Sequence, residues 1–147
     1  MSKDPRPPKM PWLLPYMVVK DADVALDFYQ RAFGFKKKEA VPGPDGKTFH
    51  AEMTYNDAVI MFAPEGAGGG PWKAPVTLGV PSPVGLYVYC ADVDALCARA
   101  KQAGASVEAE PQDMFWGDRM CTLVDPDGHI WTFATNVADF DPSKAPK

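Results

Sequence analysis

His50 and Glu52 stand two positions apart and are the only His/Glu pair at close spacing in the chain. In a strand, that spacing puts both side chains on one face. An imidazole beside a carboxylate could act as a base with a polar partner, or bind a metal in an unconventional place. Beside a Pro-Gly turn the same pair also reads as solvent-facing, or as matched to a neighbour's charge. A second chemistry-bearing group is Phe115, Trp116, Asp118 and Arg119, in a stretch that Gly117 is expected to keep mobile. Trp116 could stack on a planar or cationic ligand, and Arg119 could clamp an anion or pair with Asp118. The alternative is an aromatic anchor that fixes the loop. Trp72, in a glycine-rich stretch, is a candidate lid or dimer contact, and His129, directly after Gly128, reads as a surface turn residue.

Composition narrows the classes of partner. The chain has 147 residues, is 46% hydrophobic and carries a formal charge of -4. That size suits one domain with a core of its own, two small subdomains being the alternative. An acidic balance argues against a nucleic-acid surface, and the single basic run, Lys36 to Lys38, is followed by Glu39 and reads as a solvated strand end. Cys90, Cys97 and Cys121 are odd in number and lack CxxC spacing, so reduced, packed thiols are expected rather than staples or zinc ligands. Met1 to Pro11 has no apolar stretch of signal-peptide length, and Trp12-Leu13-Leu14 is too short to cross a membrane, so a cytoplasmic protein is expected.

The elements that must position these residues follow from turn and cap signals. A strand is expected over 15–19, then a helix over about 23–33, started by Asp21 or Asp23 and stopped by Gly34, with Val24, Leu26, Phe28, Tyr29, Ala32 and Phe33 as its apolar stripe. Strands over 35–41, 48–55 and 58–63 are separated by Pro42-Gly43-Pro44-Asp45-Gly46 and by Asn56-Asp57. Residues 64–83 are rich in glycine and proline and read as a linking or covering loop. The order then restarts. A strand over 85–90, a helix over 92–103 capped by Asp92 and ended by Gly104, a strand over 107–110 and a hairpin around Asp125-Pro126-Asp127-Gly128 complete the chain. Sliding the sequence by about 70 residues sets Val18 on Val88, Ala25 on Ala95, Leu26 on Leu96 and Gly34 on Gly104, which points to a duplicated βαβββ unit. An α+β fold is expected, with two modules (about 13–63 and 84–136) whose curved mixed sheet surrounds a cleft, a flexible tail over 1–12 and a second tail over 137–147.

Val19-Lys20-Asp21, Ala25-Leu26-Asp27-Phe28-Tyr29, Phe33-Gly34, Ala91-Asp92-Val93-Asp94-Ala95 and Asp125-Pro126-Asp127-Gly128-His129 give the chain a resemblance to the vicinal oxygen chelate superfamily, the glyoxalase, bleomycin-resistance and extradiol-dioxygenase group. Pro15-Tyr16, His50-Ala51-Glu52 and Phe115-Trp116-Gly117-Asp118-Arg119 look like the subgroup labelled PhnB-like. Enzymes of that superfamily hold a divalent metal on the first and last strands of each module. The resemblance puts those four positions on Leu14, Met61, Gly85 and Thr132, a set with no carboxylate or imidazole.

The resemblance therefore implies metal-independent binding of a small organic molecule by a homodimer, with no cofactor. The alternative is a lyase of the glyoxalase type, or an extradiol-type dioxygenase, whose divalent metal is displaced to His50 and Glu52. If Met61 and Thr132 face the cleft, strand alternation brings in Val59 and Ala134 and sends Ile60, Phe62, Trp131 and Phe133 toward the helices. Gly85 likewise brings Tyr87 and Tyr89 onto the cleft wall. The expected ligand contacts are thus Met61, Thr132, Tyr87, Tyr89, Phe115, Trp116, Asp118, Arg119, His50 and Glu52.

Overall fold

The computed structural model describes residues 3–147 and divides the chain into two compact units, one ending at Ala74 and the other beginning at Pro75. In the first unit the order is β1 (Tyr16–Val19), α1 (Ala22–Phe33), β2 (Lys36–Pro42), β3 (Thr48–Tyr55) and β4 (Ala58–Pro64). The sheet order is β1-β4-β3-β2, with β1 parallel to β4 and the remaining neighbours antiparallel. The second unit opens with a helical turn, α2 (Pro75–Leu78). It continues through β5 (Gly85–Tyr89), α3 (Val93–Ala103), β6 (Ser106–Asp113), β7 (Asp118–Val124) and β8 (Ile130–Asn136). Its sheet repeats the pattern as β5-β8-β7-β6, β5 running parallel to β8. The expected α+β pair of βαβββ modules is the observed architecture.

The helix starts are set by side-chain caps. Asp21 Oδ1 accepts from the backbone N–H groups of Asp23 and Val24 at 2.9 and 3.2 Å, satisfying donors that have no partner inside α1. Asp23 does not cap the helix. Its carboxylate accepts the Thr48 hydroxyl at 2.6 Å and the Thr48 N–H at 3.2 Å, which ties the start of β3 to α1. Asp92 caps α3 through the Ala95 N–H. Gly34 and Gly104 end the helices at φ of 76° and 107°. Between those ends α1 buries Ala25, Leu26, Phe28, Tyr29, Ala32 and Phe33 against its sheet. Val24, expected in that stripe, is exposed instead, on the far side of the helix.

Each sheet keeps one face under its helix. Met17, Val19, Ala51, Met53, Ile60 and Phe62 are buried in the first unit, and Cys121, Leu123, Trp131 and Phe133 in the second. Register corrects the internal alignment. Asp21 and Asp92 both cap their helices, and Tyr16 lies beside Met61 as Tyr87 lies beside Thr132, so Met17, not Val18, corresponds to Val88. One residue of slip in a strand exchanges its faces, so Val18 stands on the open face while Val88 faces the helix side. Residues 67–69 form a single 3-10 turn within the glycine-rich loop, and Glu65 Oε1 accepts the Ala74 N–H at 3.0 Å to close the loop at its base. Among the described residues no helix is long and apolar enough to cross a membrane.

Gly117 does not behave as a mobile hinge. It adopts φ of 99°, and its carbonyl accepts the N–H groups of Val137 and Ala138 at 2.8 and 3.0 Å. A Cβ placed there would meet the Ala138 carbonyl oxygen at 2.2 Å, so only glycine allows the chain beyond β8 to lie against this turn. Asp118 and Arg119, expected in the loop, are the first residues of β7.

Candidate functional site

On the open face of the second unit, Tyr87 and Tyr89 are neighbours on one side of β5 and remain 47% and 57% exposed. Both phenols donate to the same oxygen, Asp118 Oδ2, at 2.7 and 2.8 Å. Asp118 is only 2% exposed, and its other oxygen accepts Asn136 Nδ2 at 3.0 Å. Trp116 Nε1 donates to the Tyr87 oxygen at 3.2 Å. Burial pushes the Asp118 carboxyl upward, but the donors Asn136, Tyr87 and Tyr89 outweigh it and hold the group below the usual carboxylate value, so it is charged at neutral pH. Burial, followed by the bond to Asp118, pushes the Tyr87 phenol up to about 12; the bond to Asp118 raises Tyr89. A fixed negative charge therefore sits beneath two half-exposed rings, with the phenol protons turned inward.

On the open face of the first unit, His50 Nδ1 lies 3.0 Å from the Tyr16 hydroxyl and His50 Nε2 lies 3.2 Å from Glu52 Oε1. Lys38 Nζ approaches the other Glu52 oxygen at 3.5 Å. A bulge at Lys38 between its registered neighbours Lys37 and Glu39 lets that side chain leave the regular alternation of β2. The basic run is thus not wholly solvated: one of its three lysines is an ion-pair partner. Beside Tyr16 lies a groove of about 440 Å³, walled by Val18, Phe49, Ala63, Pro64 and Trp72.

The expected contacts fall into four groups. Tyr87, Tyr89, Trp116 and Asp118 converge, and Thr132 lies on the same face, paired with Tyr87 across the ladder and 3.4 Å from the Thr122 hydroxyl. Phe115 is an anchor: its ring meets Trp116 edge-on at 5.0 Å and Phe140 at 6.0 Å. Arg119 neither joins the tyrosines nor pairs with Asp118. It forks onto both oxygens of Asp94 at 2.8 and 2.9 Å and reaches Asp113 at 3.2 Å, because alternation turns its side chain away from that of Asp118. His50, Glu52 and Met61 belong to the first unit, Glu52 and Met61 being ladder partners. Tyr16, Phe49 and Asn136 were not singled out from the sequence; Tyr16 alone carried a signal, its place in the Pro15-Tyr16 pair.

The donor set can be tested against the metal that the resemblance implies. Leu14 precedes β1, Met61 lies in β4, Gly85 opens β5 and Thr132 lies in β8. None offers a nitrogen or a carboxylate oxygen from its side chain, and among the described residues no three His, Cys, Asp or Glu are grouped so as to hold an ion. The residues present do not fit a divalent metal at those positions. Cys97 and Cys121 are buried and Cys90 half-buried, none in a disulfide.

Comparisons with known proteins agree with this architecture. The profile of the Glyoxalase/Bleomycin resistance protein/Dioxygenase superfamily matches residues 10–133. An uncharacterized protein of Mycobacterium tuberculosis, Rv0887c, is 40% identical over 132 residues, which cover 88% of this chain and 76% of that one. TioX from Micromonospora sp. ML1 has a TM-score of 0.66 at 27% identity, covering 85% of this chain and 98% of TioX. TnmS3, an antibiotic binding protein from Streptomyces sp. CB03234, has a TM-score of 0.60 at 26% identity, covering 84% of this chain and 93% of TnmS3. With the profile spanning both βαβββ units, the chain belongs to the glyoxalase/bleomycin resistance protein/dioxygenase superfamily.

Proposed function

We propose that this protein binds a small planar organic molecule, preferably a cation, on the tyrosine face of its second unit, without a metal and without chemical change to the ligand. The observation that carries the reading is the convergence of Tyr87 and Tyr89 on Asp118 Oδ2. Phenols that donate inward to a carboxylate present electron-rich rings and oxygen lone pairs outward, a surface suited to cations and hydrogen-bond donors. Likeness to an antibiotic binding protein supports a sequestering role. The donor-poor set Leu14, Met61, Gly85 and Thr132 supports binding that needs no ion. The PhnB-like motifs and a homodimeric state belong to the same reading, and sedimentation velocity tests the latter.

A thermal-shift screen of planar aromatic cations tests the site. Hits are expected to weaken in Tyr87→Ala and Trp116→Ala; if neither substitution alters any hit, the site is wrong. The rival is a metal-dependent enzyme built on His50 and Glu52, favoured by their 3.2 Å contact. Metal analysis of protein purified without added ions separates the two, since a stoichiometric transition metal lost in His50→Ala and Glu52→Ala would overturn the sequestering role.

A further inference from the structure

Residues 137–144 follow β8 and lie beyond the superfamily profile, whose match ends at residue 133, yet they are tied to the second unit at several points. The Gly117 carbonyl accepts from Val137 and Ala138, and the Phe115 carbonyl accepts the Asp141 N–H at 3.1 Å. Asn136 Nδ2 donates to Asp118 Oδ1 at 3.0 Å and to the Ala138 carbonyl at 3.2 Å, so one amide joins this strap to the carboxylate beneath the tyrosines. A turn over Pro142–Lys144, capped by Asp141 through the Ser143 N–H at 3.1 Å, finishes it. The ties land on Phe115, Gly117 and Asp118, the residues on either side of Trp116.

Side chains continue the same connection. The Phe140 ring lies 6.0 Å from that of Phe115 at an interplanar angle of 56°, and Phe115 meets Trp116 edge-on at 5.0 Å and 89°. Both spacings suit attractive aromatic pairs. Trp116 Nε1 ends the row by donating to the Tyr87 oxygen at 3.2 Å. Phe140 is 62% exposed, so it adds little to a core; what its ring touches is Phe115, which in turn braces Trp116. A loop indole held by one hydrogen bond alone would sample several rotamers, and a ligand would have to order it on binding. A braced indole removes that cost in advance.

We infer that residues 137–144 form a strap that pre-positions Trp116 for the ligand of the tyrosine face, with Phe140 and Asn136 as positioning residues that act through Trp116 and Asp118. The inference rests on the tyrosine face being the binding surface, but the placement of Trp116 can be read without any ligand.

Phe140→Ala in the full-length protein is the variant of choice, because an exposed ring can be removed with the fold intact, and its melting temperature checks that. Nitrogen relaxation of the Trp116 indole N–H reports the placement. Its order parameter is expected to fall from about 0.85, typical of a rigid N–H, to below about 0.6 in Phe140→Ala, and to recover in Phe140→Tyr. N-methylacridinium, a planar cation, reports the consequence. Phe140→Ala is expected to bind it roughly fivefold more weakly, about the loss of one exposed cation–π contact. In a Trp116→Ala background the same change is expected to have no further effect, since Phe140 acts through Trp116. Full additivity there would overturn the inference, and so would an unaltered Trp116 order parameter in Phe140→Ala. If the unaltered protein fails to bind N-methylacridinium while the order parameter still drops, the positioning is upheld and it is the tyrosine face as a cation site that falls.

Discussion

The Trp131 indole N–H donates to Asp125 Oδ2 at 2.9 Å, with the tryptophan fully enclosed and the aspartate 4% exposed. The other oxygen of Asp125 accepts the N–H groups of Asp127 and His129 at 3.0 Å each. One carboxylate thus folds the turn and satisfies the largest side chain of the second core. Asp125→Ala strands three donors, and the expected loss is roughly 2–4 kcal/mol, with Asp125→Asn losing about half of that. Urea unfolding followed by tryptophan fluorescence measures both. A change within error for Asp125→Ala would remove the turn from the account of stability.

Asp118→Asn keeps the shape of the tyrosine face while deleting its charge. Because the bond to Asp118 contributes to the raised phenol values, both tyrosines are expected to titrate at lower pH in the variant, seen by ultraviolet absorbance. Affinity for aromatic cations is expected to fall about tenfold, the loss of roughly 1.4 kcal/mol. The Asp118 carboxyl itself lies below 3.8 in the folded state, so its contribution to stability is present above that value and is lost as pH falls through the folded value. The acid limb of the stability curve is expected to flatten in Asp118→Asn.

Arg119→Ala tests a residue that the sequence set beside Asp118 and that pairs instead with Asp94 and Asp113. Its fork onto Asp94 holds that carboxyl below its ordinary value and raises the guanidinium, and the pairs are solvent-exposed. A small drop in melting temperature, shrinking further in high salt, and a rise of the Asp94 titration by NMR are expected, with ligand affinity unaltered. Loss of binding in Arg119→Ala would return it to the site.

Helices, turns and most strand limits were legible because their signals are local: Asp21 and Gly34 bracket α1, Asp92 and Gly104 bracket α3, and Asp125-Pro126-Asp127-Gly128 makes its own turn. Tyr87, Tyr89, Trp116 and Asp118 were legible as a group because alternation and a short loop bring them together. The pairing of Tyr16 with His50 was not, since it joins residues 34 positions apart. The partners of Arg119 were hidden for the same reason, Asp94 lying 25 positions away. Gly117 misled because glycine in sequence denotes permitted freedom, whereas its fixed positive φ and the close passage of Ala138 show a required conformation.

Gly117→Ala follows from that geometry. An αL alanine with its Cβ driven into a carbonyl oxygen is expected to cost about 3 kcal/mol or more, and to release the segment after β8 first. Hydrogen exchange at the Val137 and Ala138 amides, both bonded to the Gly117 carbonyl, reports the release. Gly69→Ala is the control, because it shares the positive φ but meets nothing within 4 Å; a milder loss is expected there.

The thiols give an alkaline counterpart. Burial pushes Cys121 up to about 12 and raises Cys97 and Cys90 as well. Only thiolate reacts with iodoacetamide, and at pH 8 a thiol titrating near 12 is ionised to about one part in ten thousand. In the native protein half-buried Cys90 is expected to be alkylated first and Cys121 last, with all three alike in urea; a mass-spectrometric time course resolves the order. A folded value above the ordinary 9.0 means that stability is intact below about pH 9 and drains as pH climbs toward 12, the interval in which Tyr87 also loses its proton. Equal native rates at Cys90 and Cys121 would mean that the second core opens faster than alkylation, which contradicts the complete enclosure of Cys121, Leu123 and Trp131.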